Sequence, residues 1–267
     1  MWLALDIGNS AAKGGFFDGP RLVDTFRLAL TRHDPTEVWV RALEEALAAR
    51  PVARAGIASV VPSLVEPLYA VLARRTPTTP LVVRPTLALP FTLAYQTPHT
   101  LGVDRLAAAV AAWTRYGHAP DGTPRSVIAL DAGTAVTYDV VEAPGVFRGG
   151  PIGAGPALLR QGLATGTAQL PEVPLELPEE VIGRSTREAL QAGILYGFLD
   201  SVGGMLARLA GRLPPRPFVV ATGGWAGWLA AHLDAIDHVD PHLVLRGVYD
   251  LMALNPTEPP AHPPLRT

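Results

Sequence analysis

A short apolar run closing on an acidic turn occurs twice in this chain, and that repetition limits the folds open to it. Ala4-Leu5-Asp6-Ile7-Gly8-Asn9-Ser10 is matched, half a chain later, by Ala129-Leu130-Asp131-Ala132-Gly133-Thr134-Ala135. Each stretch follows apolar residues (Trp2 to Leu5, then Val127 to Leu130) and leads into a second extended run (Ala11 to Phe17, then Val136 to Val141). Both read as strand, tight Asp-x-Gly turn, strand. Each taken alone also fits a plain hairpin with Asp and Asn as turn formers. Two of them in corresponding places point to an internal duplication.

The rest of the chain fits two α/β halves. Glu37 to Arg50 and Val65 to Arg75 carry helical periodicity, and Arg54 to Val60 and Leu81 to Val83 read as strands. Asp104 to Tyr116 is an alanine- and leucine-rich helix stopped by Gly117, and residues 117–124 look like a linker. A glycine-rich loop spans Gly149 to Gly155, followed by a helix to about Leu163. A long helix covers Thr186 to Leu213, with a potential break at Gly203-Gly204. Its Gly193 and Gly197, four apart, would let another helix approach closely. Phe218 to Ala221 is a strand ending in Thr222-Gly223-Gly224, and Trp225 to Leu233 is helical. The expected domains are 1–117 and 118–255, with 256–267 a proline-rich flexible tail.

Composition narrows the function. Hydrophobic residues make up 48% of the 267, enough for a sizeable core. A formal net charge of −2 disfavours a nucleic-acid binder that runs on bulk electrostatics. Absence of cysteine excludes disulfides, thiolate metal sites and a cysteine nucleophile, and fits a cytoplasmic location. Asp6 interrupts the first apolar stretch and no basic segment precedes it, which argues against a signal peptide. No apolar run approaches the roughly 20 residues of a membrane span. Lys and Arg total 22, yet Lys13 is the only lysine. A compact ammonium so close to Asp6 suits a phosphate.

Four constellations carry chemistry. In Asp6 to Lys13, the turn at Gly8 bares backbone N–H groups and small neighbours let a phosphate approach, while Asp6 can hold Mg²⁺ through water. A strand follows this turn, so it is not a Gly-x-x-x-x-Gly-Lys-Ser/Thr loop. Asp131-Ala132-Gly133-Thr134 can clasp the same phosphates, with Thr134 offering a hydroxyl and an N–H. Gly223 and Gly224 allow a flat ring or ribose close to the backbone, or simply turn a strand into a helix. In Leu101-Gly102-Val103-Asp104-Arg105, Asp104 opens a helix and either caps it or accepts a substrate proton, and Arg105 can clamp an anion.

In order and spacing these motifs resemble the actin-like ATPase superfamily, whose two hairpins face each other across a nucleotide cleft between two ribonuclease H-like domains. More closely, the chain is similar to the type III pantothenate kinases. The matching stretches are Asp6-Ile7-Gly8-Asn9-Ser10 with Lys13, Gly102-Val103-Asp104-Arg105, Asp131-Ala132-Gly133-Thr134-Ala135, Gly149-Gly150-Pro151-Ile152, Thr167-Ala168-Gln169-Leu170-Pro171 and Thr222-Gly223-Gly224. The resemblance implies ATP-dependent phosphorylation of pantothenate, the first step of coenzyme A synthesis. ATP would be bound by Asp6, Ile7, Gly8, Asn9, Ser10, Ala11, Ala12, Lys13, Thr134, Gly223 and Gly224. Asp104 would be the catalytic base, and Tyr95, Gly102, Val103, Asp104, Arg105 and Thr186 would contact pantothenate. The family's implied cofactors are Mg²⁺, through Asp6, and a monovalent cation, K⁺ or NH₄⁺, at Asp131. A homodimer is implied as well, with no nucleic-acid or membrane partner. Val103 where the family has alanine, and Ile152-Gly153-Ala154-Gly155 in place of Ile-x-Pro-Gly, depart from the pattern. The alternatives are another actin-like small-molecule kinase, or a non-catalytic regulatory accessory factor of the same fold.

Overall fold

The structure is a computed structural model and describes residues 1–9, 11–48 and 50–256. The described residues divide into two compact units, one comprising residues up to Thr114 together with those from His242 to Pro256, the other Arg115 to Pro241.

The first unit contains β1 (Trp2–Ile7), β2 (Ala12–Asp18), β3 (Arg21–Leu28), α1 (Thr36–Leu47), β4 (Arg54–Ser59), α2 (Pro62–Arg75), β5 (Leu81–Val82) and β6 (Thr92–Leu93), and holds most of α3 (Val103–Tyr116). Its sheet runs β3-β2-β1-β4-β5, with β1 antiparallel to β2 and parallel to β4. A central strand covered on both faces must be apolar on both, and Leu3, Ala4, Leu5 and Ile7 are all buried. On one face Leu3, Leu5 and Ile7 join Trp39, Leu43 and Leu47 of α1 and Leu64, Leu68, Val71 and Leu72 of α2.

The other face is built from small residues. Ala4 stands in register with Gly15 on β2 and Gly56 on β4, which leaves a trough across three strands. The last helix, which follows all elements of the second unit, fills it: Leu245 lies over Gly15, and Val248 and Met252 over Gly56. Leu243–Leu254 thus packs in the first unit, although it falls within the 118–255 stretch expected to form the second domain. The trough on β1, β2 and β4 is the apolar surface that this helix matches. It also crosses α3 at close range: a Cβ on Gly247 would meet the Ala107 carbonyl oxygen at 1.8 Å.

The second unit contains β7 (Val127–Ala132), β8 (Ala135–Glu142), β9 (Val146–Gly149), β10 (Ile152–Ala154), α4 (Pro156–Gly166), α5 (Thr186–Ala210), β11 (Phe218–Thr222), α6 (Ala226–Ala230) and β12 (His238–Val239); the closing helix 243–254 is then α7. Strands pair in the order β12-β11-β7-β8-β9, and β10 also pairs with β8. Ile128, Leu130, Val136 and Val140 pack with Phe198, Val202 and Leu206 of α5 and Leu229 of α6.

Three local expectations change, and strand β3, a mostly exposed edge strand bearing Arg21, Asp24 and Arg27, was not foreseen. The expected glycine loop at 149–155 holds the end of β9 and all of β10; Gly149 takes φ +81°, and Gly150 presses on the Tyr138 carbonyl, where a side chain would not fit. Helix α5 runs unbroken through Gly203-Gly204 and ends at Ala210. Nothing lies within 4 Å of a Cβ built on Gly193 or Gly197, so no helix among the described residues packs there. Of the expected tail, only Pro256 is within the described residues.

Candidate functional site

In the first unit, Asp6 sits near the C-terminal end of the central strand and is the direct cross-strand neighbour of Lys13. Between β1 and β2 the chain turns through 8–11, closed by the Gly8 N–H donating to the Ala11 carbonyl at 3.0 Å. The Asn9 carbonyl accepts from the Arg32 N–H, and the Ile7 carbonyl from the Val60 N–H. Both bonds fix the turn to its surroundings. Ile7 and Ala12 are buried and serve the core, whereas Gly8, Ala11 and Lys13 are half-buried and Asn9 is exposed. Ser10 lies outside the described residues.

Helix α3 carries the second group. Gly102 precedes it and its carbonyl accepts the Leu106 N–H. Asp104 is the helix's second residue; its Oδ1 accepts the Arg105 N–H at 2.8 Å. The same oxygen lies 2.6 Å from the point where a Cβ on Gly102 would stand. An acidic group in a first helical turn is also favoured by the helix dipole. Arg105 is buried, 7% exposed, and Tyr95 is half-buried just after β6.

In the second unit Asp131 has the place on β7 that Asp6 has on β1, but the two hairpins are not identical. Ile7 pairs Ala12 and Asp6 pairs Lys13, whereas Ala132 pairs Val136 and Asp131 pairs Thr137. The second turn is one residue shorter, and a hydroxyl replaces the ammonium opposite the aspartate. The duplication is therefore one of backbone, not of charge.

The second unit brings Gly223 against Asp131 and Ala132 at the base of the hairpin. Gly223 follows β11, parallel neighbour of β7, and adopts φ +90°, a region glycine tolerates. A Cβ there would lie 2.5 Å from the Asp131 Oδ1 and 2.6 Å from the Ala132 carbonyl oxygen. Trp225 N–H donates to that carbonyl at 3.0 Å, tying the glycine turn to the hairpin. Thr134 is exposed at the hairpin tip, and nothing lies within 4 Å of a Cβ on Gly224.

Thr186 is the first residue of α5, but Ser185 is the cap: its hydroxyl accepts the Glu188 N–H at 3.2 Å, and the Glu188 carboxylate accepts the Arg184 N–H at 2.7 Å. Thr186 is exposed and its hydroxyl is not needed for capping. Beside it opens a cavity of about 760 Å³ whose lining includes Leu177, Pro178, Ile182, Ser185, Arg187 and Gln191. Gln191 is 5% exposed and donates to the Pro174 carbonyl, and the Tyr196 hydroxyl donates to that of Pro178, so α5 holds the preceding loop in place.

Among the described residues no three His, Asp or Glu side chains converge as a ready-made metal cage. A single carboxylate such as that of Asp6 still fits Mg²⁺, which keeps most of its waters and takes its other oxygens from nucleotide phosphates. No helix of the described residues is long and apolar enough to cross a membrane.

A duplicated α/β chain with an aspartate-bearing hairpin at the end of each central strand defines an actin-like ATPase fold. Solved structures agree. A protein described as a Baf family transcriptional activator from Campylobacter jejuni matches with a TM-score of 0.60 at 21% identity, covering 94% of this chain and 97% of that one. A ROK family glucokinase from Streptomyces griseus, in complex with glucose and AMPPNP, matches with a TM-score of 0.52 at 18% identity, covering 94% and 98%. The model of the type III pantothenate kinase family matches residues 2–208. The type III pantothenate kinase of Acidothermus cellulolyticus is 37% identical over 93% of this chain and 96% of its own, and that of Moorella thermoacetica 32% over 93% and 97%. The chain belongs to the type III pantothenate kinase family.

Proposed function

We infer that this chain transfers the γ-phosphoryl group of ATP, with Mg²⁺, to the primary hydroxyl of pantothenate, giving 4′-phosphopantothenate and ADP. The observation that carries the reading is the Gly102–Arg105 segment, where a half-buried carboxylate is held at the start of α3 by its own backbone. Phosphoryl transfer demands alignment and charge stabilisation more than covalent chemistry from the protein.

Asp104 orients the hydroxyl and takes its proton as the oxygen–phosphorus bond forms and the bond to the ADP oxygen breaks. Lys13 and the turn amides from Gly8 onward neutralise phosphate charge, Thr134 adds a hydroxyl and an N–H, and Gly223 and Gly224 accept the adenosine. Asp6 holds Mg²⁺ through water, and the metal supplies further charge neutralisation. Arg105, Tyr95, Val103 and Thr186 contact pantothenate.

Asp131, near the end of β7 opposite Thr137 and with its Oδ1 beside the Gly223 turn, is the residue to hold K⁺ or NH₄⁺. A homodimer is consistent with the exposed apolar side chains of Ile152, Leu158 and Leu163 in the second unit. A cytoplasmic location suits the substrates.

The test is ADP release by purified protein with ATP and Mg²⁺, with and without pantothenate and K⁺. Release that depends on pantothenate supports the reading. Full activity on a different small acid or sugar, with none on pantothenate, would replace the substrate. No ADP from any acceptor, with ligand binding intact, would favour a regulatory binding protein.

A further inference from the structure

We propose that Gly155 is a positioning residue for ATP, acting through the Gly133–Thr134 turn; this rests on the reading that Thr134 binds phosphate. Gly155 lies between β10 and α4, and its carbonyl accepts the Leu159 N–H, as expected of a residue capping α4. It belongs to none of the residues assigned above to ATP, pantothenate or a cation.

Its place is set by contact. Gly155 has φ −78° and ψ 169°, open to any residue, so backbone conformation does not require glycine there. Space does. A Cβ on Gly155 would lie 2.2 Å from the Gly133 carbonyl oxygen and 2.8 Å from that of Thr134. The Gly155 N–H donates to the Thr134 carbonyl at 2.9 Å. Strand β10 delivers the glycine there, since Ala154 pairs Ala135 and Gly153 pairs Val136 on β8.

This contact has an electrostatic consequence. Carbonyl oxygens repel phosphate, and amide and hydroxyl hydrogens attract it. A two-residue tip such as 133–134 can present either set. Gly155 occupies the side to which the two carbonyls point and satisfies one of them. That fixes the peptide planes so that the Thr134 amide and hydroxyl remain available at an exposed tip. A methyl group on Gly155 has backbone oxygens, not flexible side chains, in its way, so the tip itself must move. Sequence reading placed Gly155 at the end of a glycine-rich loop and gave it no role, because the carbonyls it packs against lie about 20 residues earlier in the chain.

The experiment compares Gly155→Ala with Gly153→Ala, two residues earlier on the same strand, where nothing lies within 4 Å of the added Cβ. Mg-ATP-analogue binding is measured by calorimetry, KM for ATP and for pantothenate by ADP release, and folding by thermal melting. Gly155→Ala is expected to weaken ATP-analogue binding and raise KM for ATP at least tenfold, with KM for pantothenate within twofold and a melt close to wild type. Gly153→Ala is expected to match wild type throughout. Normal ATP binding by Gly155→Ala overturns the proposal. So does a parallel loss of ATP binding, pantothenate KM and melting temperature, which marks a merely structural glycine. If Gly155→Ala does not fold, amide hydrogen exchange on the wild-type protein decides it: the ATP analogue is expected to slow exchange of the Gly155 N–H, which donates to the Thr134 carbonyl, at least tenfold, and exchange there unchanged by the analogue would sink the proposal. A wild-type protein that binds no ATP analogue refutes the underlying kinase reading instead, and is distinguishable because Gly155 is then unaltered.

Discussion

The Oδ1 of Asp104 lies 2.6 Å from where a Cβ on Gly102 would stand, so the acid and the glycine two residues before it occupy one small space. The carboxylate is folded back over the start of α3, accepting the Arg105 N–H. Removing its charge without changing its shape should stop proton acceptance and little else. Asp104→Asn is expected to lower kcat by about 10²–10⁴-fold with ATP binding unchanged. Turnover near wild type in the ADP-release assay would refute the base assignment. Gly102→Ala displaces the same carboxylate and should lower kcat without abolishing it.

Ser185 and Thr186 offer a separation of roles at neighbouring positions. Ser185→Ala removes the cap of α5 and should cost about 1 kcal/mol of stability with pantothenate KM unchanged. Thr186→Ala should do the reverse, raising KM for pantothenate while thermal melting stays at the wild-type value. Identical effects from the two changes would mean that Thr186 serves the helix, not the substrate.

Gly247 should be the least replaceable residue of α7. A Cβ there meets the Ala107 carbonyl oxygen at 1.8 Å, and helix backbone does not yield as a side chain would. Gly247→Ala is expected to destabilise by about 1–3 kcal/mol, read by denaturant melting, because α7 must lift from α3. A melt unchanged from wild type would mean that the helices cross farther apart.

Tyr138 gives an alkaline signature. Burial in the second core raises its hydroxyl from 10.0 to about 12. Below pH 10 the phenol is neutral in folded and unfolded chains alike. Between about pH 10 and 12 the unfolded chain loses this proton first, so stability falls as pH rises, by up to about 3 kcal/mol. Tyr138→Phe should remove that part of the slope, checked by denaturant midpoints between pH 8 and the onset of alkaline unfolding. An unchanged slope would mean that Tyr138 ionises as it does in water.

Sequence alone determined the local units: both Asp-x-Gly hairpins, the stop of α3 before Gly117, the lone Lys13 beside Asp6, and the Asp104 helix start. Turn chemistry and short-range periodicity are written in neighbouring residues, so they can be read without knowing what lies across the core. The family motifs were legible for the same reason. Tertiary structure decided what depends on distant partners: α7 returning to the trough of Gly15, Ala4 and Gly56, the one-residue difference between the hairpins, and Gly155 and Gly223 packed against the 131–134 segment. Glycine advertises only the absence of a side chain. Which backbone moves into the space it leaves is settled when residues far apart in the chain compete for the same volume in the folded core.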